Sequence, residues 1–185
     1  MKPPSSSPVP ERCDGLDPVI GDSPEVLVLG SFPSRQSLVR FEYYGNPQNH
    51  FWQVIEALFA IDRHLPYARR VEQICLHRVA LWDVIHSCRR EGSADDRIRE
   101  PVVNDIDKLL AAHPSVRLIA LNGTAAERCY TRYRSRNPEP CPPVPTQLLP
   151  STSPANTRYS LDGKCRCWEV IRTRATGGKK GDTRF

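Results

Sequence analysis

With 185 residues, 39% of them apolar, the chain has material for one substantial core and not for two. No apolar run approaches the roughly 20 residues that span a bilayer, and the Pro/Ser-rich start from Lys2 to Pro10 lacks the apolar stretch of a secretory signal. The chain is therefore expected to stay off the membrane and inside the cell. The formal charge of +5 is unevenly placed. From Arg172 to Phe185, five basic residues (Arg172, Arg174, Lys179, Lys180, Arg184) stand against one acid, Asp182, which leaves +4 there and +1 for everything before it. Charge alone does not identify a nucleic-acid binder.

In chain order, residues 1–14 read as a flexible start. Glu25 to Gly30 is short, continuous and apolar, the pattern of a strand buried on both faces. Asn49 to Phe59 places apolar residues at 51, 52, 54, 55, 58 and 59, a helical stripe, and Tyr67 to Leu76 is a weaker helix. Arg78 to Ile85 gives the next strand. Pro101 can open a helix that runs to Ala112 with Val102, Val103, Ile106, Leu109 and Leu110 on one face. Arg117 to Leu121 is a third strand, Ala125 to Tyr133 a helix, and a proline-rich loop follows. Thr146 to Leu149 is a fourth strand, Pro150 to Pro154 a turn, and Leu161 to Arg174 the last helix. Strands alternating with helices predict an α/β domain over 15–174 with a mostly parallel sheet, followed by a flexible basic tail over 175–185.

Seven cysteines without an export signal read as free thiols and not as a disulfide framework. Cys75-x-His77 and His86-x-Cys88 have the residue types of a zinc site. An intervening strand would hold the two pairs on the order of 25 Å apart, too far for one tetrahedral ion. Cys165 and Cys167 lie two apart in a helical pattern and do not share a face.

Ligands of parallel sheets bind beyond the carboxyl ends of the strands. Four such turns carry unusual residues: Gly30-Ser31-Phe32-Pro33-Ser34, Trp82-Asp83, Asn122-Gly123 and Pro150-Ser151-Thr152-Ser153-Pro154. Each could simply turn the chain or cap a helix. A Rossmann-type nucleotide site is excluded, because Gly30-Ser-Phe-Pro lacks the glycine spacing that admits a pyrophosphate.

Three segments, Leu29-Gly-Ser-Phe-Pro-Ser34, Tyr43-Tyr44-Gly-Asn-Pro-Gln-Asn49-His-Phe-Trp52 and Leu149-Pro-Ser-Thr-Ser-Pro-Ala-Asn156, resemble the hypoxanthine-DNA (deoxyinosine) glycosylase family, a branch of the uracil-DNA-glycosylase superfamily. Ala80-Leu-Trp-Asp-Val-Ile85 and Gly92-Ser-Ala-Asp95 extend the resemblance, which runs from about Gly15 to Arg172. It implies a three-layer α/β/α sandwich around a four-stranded parallel sheet, no cofactor and no metal. It also implies DNA containing deaminated bases as partner, and a monomer working in the bacterial cytoplasm and nucleoid or in a eukaryotic nucleus. Many members of the superfamily place Asp or Asn in the first motif. This chain has only Ser31, Phe32 and Pro33 there, and the family pattern points to Asn49 as the group that positions water.

The chemistry assigns roles to the remaining residues. A base must be flipped from the duplex, stacked and read along its edge. Phe32, Tyr44 and Phe51 are candidates for stacking, with Phe51 equally suited to the core. Asn122 offers both a donor and an acceptor, the complement of the carbonyl and ring N–H of hypoxanthine or uracil, or else caps the following helix. Asp83 can contact the base or orient a neighbour. Ser31, Ser34, Ser151, Thr152 and Ser153 are candidates for DNA contact, the last three at an expected helix start suited to phosphate. No lysine falls within the matched motifs, so a Schiff-base lyase step is not expected. Rival readings are a uracil or thymine glycosylase acting on G mismatches, and a non-catalytic module for damaged or single-stranded DNA.

Overall fold

A computed structural model describes residues 11–137 and 143–175. Its centre is a four-stranded parallel sheet in the order β3-β2-β6-β7, formed by β2 (Val26–Gly30), β3 (Val79–Asp83), β6 (Leu118–Asn122) and β7 (Thr146–Leu149). Val26, Leu27, Val28 and Leu29 are all fully buried, as both faces of a central parallel strand must be. Helices α2 (Phe51–Phe59), α3 (Tyr67–Leu76) and α6 (Leu161–Ala175) share one apolar cluster with Val26, Val28 and Leu81. Helices α4 (Ile106–Ala112) and α5 (Thr124–Arg134) share the opposite cluster with Leu27, Leu29 and Ile119. The alternate residues of β2 thus feed two separate half-cores, which makes the α/β/α sandwich.

A second, antiparallel sheet in the order β1-β4-β5 joins β1 (Arg12–Asp14), β4 (Ile85–Arg89) and β5 (Arg99–Val103). It corrects three sequence expectations. The start is ordered from Arg12 onward, while residues 1–10 lie outside the described chain, as do 176–185 of the basic tail and 138–142 of the proline-rich loop. The single strand over 78–85 is two strands. They are separated at Val84, whose N–H bonds Gly30 O at 2.9 Å and whose carbonyl takes the Asn104 N–H at 2.9 Å. The helix expected from Pro101 begins only at Ile106. Val102 and Val103, β-branched and half exposed, stay extended in an edge strand where Pro101 needs no N–H partner. Asp105 then caps α4 by accepting from Lys108 N at 3.0 Å.

One helix, α1 (Arg35–Arg40), was not legible in the apolar pattern. It is a short capped turn and has no stripe: Ser34 accepts from Ser37 N at 3.1 Å, and Phe41 closes it in the left-handed region.

Candidate active site

The carboxyl ends of β2, β3, β6 and β7 open into a cavity of about 620 Å³. Ten of the eleven residues singled out from the sequence line it: Ser31, Phe32, Ser34, Tyr44, Asn49, Asp83, Asn122, Ser151, Thr152 and Ser153. Phe51 does not. It is fully buried behind the site, stacked against Tyr44 with ring centroids 3.8 Å apart and edge-on to Trp52 and Trp168. Its part is to support Tyr44 from the core side.

The floor is built around Gly30. A Cβ at this position would collide with Asp83 Oδ1, so the carboxyl group lies in the space that any other residue's side chain would fill. Gly30 and Asp83 are partners in the parallel register. Asp83 is 5% exposed, and its Oδ2 has no hydrogen-bond partner among the described residues. Burial foremost, then the Asp95 carboxylate, push its pKa up to about 7, against the opposing pull of Arg90. The Arg90 guanidinium lies 4.8 Å over the Phe32 ring, donates to Pro33 O and leaves Nη1 unpartnered among the described residues.

Asn122, at the end of β6, neither caps α5 nor stands free. Gly123 occupies the cap position with φ +91°, and a Cβ there would lie 2.5 Å from Ser151 Cβ, so geometry and space both require glycine. Asn122 Nδ2 donates to Tyr44 Oη at 3.1 Å and Thr152 Oγ1 at 3.0 Å, and Oδ1 accepts from Thr152 N at 2.9 Å. Its amide hydrogens are consumed, and one lone pair of Oδ1 remains. Tyr44 has φ +56° and is kept in the phenol form by burial first and by the Asp83 charge second.

Asn49 Oδ1 accepts from Phe51 N at 2.9 Å, fixing the entry to α2. Its Nδ2 has no partner among the described residues, and the side chain lines the cavity. The neighbouring His50 N–H bonds Thr152 O at 2.9 Å, tying the second motif to the third. A residue missed in the sequence tightens the same joint. Lys164 of α6 is fully buried, and its Nζ lies 3.2 Å from both His50 Nδ1 and Asn156 O. Burial lowers the pKa of Lys164; burial first and then Lys164 lower that of His50. Lys164 lies behind the cavity wall and does not line it.

The third motif departs from expectation. Residues 150–160 form no helix, and α6 starts only at Leu161, so no helix N-terminus serves Ser151 to Ser153. Side chains supply the local order instead: Ser151 Oγ accepts from Ser153 N at 3.2 Å and Ser153 Oγ from Ala155 N at 3.3 Å. Both hydroxyls retain their hydrogens for an outside acceptor. Thr152 is fully buried with its hydroxyl on Asn122, out of reach of a DNA backbone. Ser34 is occupied in capping α1, and Ser31 donates to Asp95 Oδ1 at 2.6 Å. The cavity wall and rim also carry Tyr43 and Asp95, which stand in the motifs without an assigned role, and Arg128, Arg158 and Tyr159, which the sequence reading passed over. Arg128 and Arg158 are exposed cations on α5 and the third-motif loop, scattered through the sequence with no local pattern to mark them. Among the described residues, no group of three or more His, Cys, Asp or Glu could hold a metal ion, and the six described cysteines are free.

The parallel sheet sandwiched by helices, with the cavity at its carboxyl edge, is a uracil-DNA-glycosylase-like fold by its likeness to a solved structure. The solution NMR structure of a candidate uracil DNA glycosylase from Methanosarcina acetivorans superposes with a TM-score of 0.75 at 31% identity, over 90% of this chain and 99% of that one. A hypoxanthine DNA glycosylase of Methanosarcina acetivorans is 34% identical over 158 residues, 85% of this chain and 96% of the relative. The Methanosarcina barkeri protein of the same name is 32% identical over 155 residues, 83% and 94% of the two chains. No family profile matches the chain. On these likenesses the chain belongs to the hypoxanthine DNA glycosylase family.

Proposed function

We propose that the protein hydrolyses the N-glycosidic bond of hypoxanthine, and of uracil as a second substrate, in DNA, leaving an abasic site that starts base excision repair. The observation that carries this reading is the convergence of Asn49, Asp83, Asn122 and Tyr44 on one cavity large enough for a flipped base. Cleavage passes through an oxocarbenium-like sugar, which needs a placed water and tolerance of positive charge more than a strong base. Asn49 lines the cavity with its Nδ2 unpartnered among the described residues, and suits the water. The remaining lone pair of Asn122 Oδ1 suits the ring N–H of a lactam base, and Phe32 and Tyr44 offer ring faces for stacking. Ser151 and Ser153, with Arg128 and Arg158 at the rim, suit the flanking phosphates. The buried seat of Lys164 off the cavity wall supports a monofunctional enzyme that makes no Schiff base. The working unit is one chain.

Oligonucleotides carrying hypoxanthine, uracil or xanthine, followed by alkaline cleavage of abasic sites, test the reading. Breakage at hypoxanthine, and more weakly at uracil, is expected. Breakage confined to uracil or thymine opposite guanine would replace it with the mismatch-specific activity.

A further inference from the structure

The mechanism just proposed gives no chemical step to the most unusual group in the cavity. Asp83 is nine-tenths buried, its Oδ2 is unpartnered among the described residues, and it lies against the Cβ-less face of Gly30 on the cavity floor. An ionised carboxylate left in that position would be costly, and it would face the carbonyl-rich edge of a deaminated base with like polarity. A carboxylic acid in the same position has one O–H to donate. Asp83 and Asn122 end two strands that flank β2, so they stand about 10 Å apart across Gly30 with the Tyr44 hydroxyl between them. Both residues line the cavity that the proposed function assigns to a flipped base.

We infer that Asp83 is a catalytic acid, protonated in the resting enzyme, that gives its proton to a ring-nitrogen or carbonyl acceptor of the departing purine. The inference rests on the glycosylase reading above. As the glycosidic bond breaks, its electron pair passes to the base and the Asp83 proton neutralises the charge that develops there. Water adds its hydroxyl to the sugar C1′, and the proton it releases passes to solvent, from which Asp83 is reprotonated. Proton, hydroxyl and electron pair balance, and no other reactant is needed.

The charged and titratable groups around Asp83 fit this role. Arg90, following β4, and Asp95, on the turn that follows it, oppose one another. Tyr43 and Tyr44, ahead of α2, are raised by burial, the Asp83 charge adding to it, and stay neutral throughout the working range. Gly30 of β2 contributes no charge. Burial pushes Asp83 itself up to about 7.

The test is single-turnover excision of hypoxanthine at saturating enzyme between pH 5.5 and 8.5. Wild type should lose rate about tenfold per pH unit above neutrality. Asp83→Asn, nearly isosteric, should be on the order of 10²-fold slower at pH 6 and lose that alkaline limb. A wild-type rate that is flat or rising above pH 7, or an Asp83→Asn enzyme that keeps wild-type rates and the alkaline limb, overturns the inference while leaving the glycosylase reading standing. No base released from bound DNA at any pH overturns the reading itself, and this inference with it.

Discussion

Asn49 carries two functions on one side chain, and its two ends can be separated. Its Oδ1 holds the first N–H of α2, while the residue also lines the cavity. Asn49→Ala should therefore lose about 1 kcal/mol of stability with the cap and on the order of 10²-fold in single-turnover rate with the water-placing group. Asn49→Ser keeps a capping oxygen, so it should recover the melting temperature and not the rate. Recovery of both would reduce Asn49 to a helix cap. Asp83 makes a separate prediction for stability. An unfolded carboxyl titrates near 4. With the folded group raised to about 7, the native state holds the extra proton between these values, so stability falls as pH rises through that window. Asp83→Asn should match wild type below pH 4 and melt several degrees higher at pH 8. Equal melting temperatures at both pH values would show that the carboxyl is not strained by its burial.

At the scale of elements, the site is a set of loops fastened to one another more than a set of strand ends. Thr152 bonds Asn122 and His50, and Lys164 bonds His50 and Asn156, so α6, the second motif and the third form one joint. Gly123→Ala strains a positive φ and meets Ser151, at a cost of roughly 1–3 kcal/mol with a loss of activity as the third motif shifts. Lys164→Met removes the ammonium and leaves His50 Nδ1 and Asn156 O without their partner, at a cost of roughly 1–3 kcal/mol. A lowered thermal melt with a several-fold lower rate is expected. A wild-type rate would mean that the tie to His50 does not position Asn49. β2, β3 and β6 were legible because buried apolar runs are a local signal, and β7 because it is a short run between prolines. The second sheet was not. β4 follows β3 after the single residue Val84 with no turn residue between them, and Pro101 reads equally well as a helix start or as an edge strand. Lys164 was illegible for another reason: only packing of α6 against α2 reveals that a lysine in a charged helix is fully buried.

For the whole molecule, one parallel sheet fixes where a base can enter, and two exposed arginines at the rim, Arg128 and Arg158, supply charge where the net surface charge is small. Replacing both with Gln should weaken DNA binding alike for damaged and undamaged sequence and reduce the salt slope by about 2, with little change in the rate at saturating enzyme. A loss confined to damaged DNA would assign them to the base. The residue types of the site were readable from the motifs, but the division of labour among them was not. Thr152 and Phe51 turn out to hold other site residues in place, and that follows from burial that no local pattern encodes. The central claim is that this cavity expels a deaminated base by hydrolysis, and its most direct test is to measure free hypoxanthine released from an inosine-containing oligonucleotide in a single turnover. Stoichiometric release of the base with an intact abasic strand is the predicted result; DNA that is bound without release of the base, at saturating enzyme and neutral pH, would contradict it.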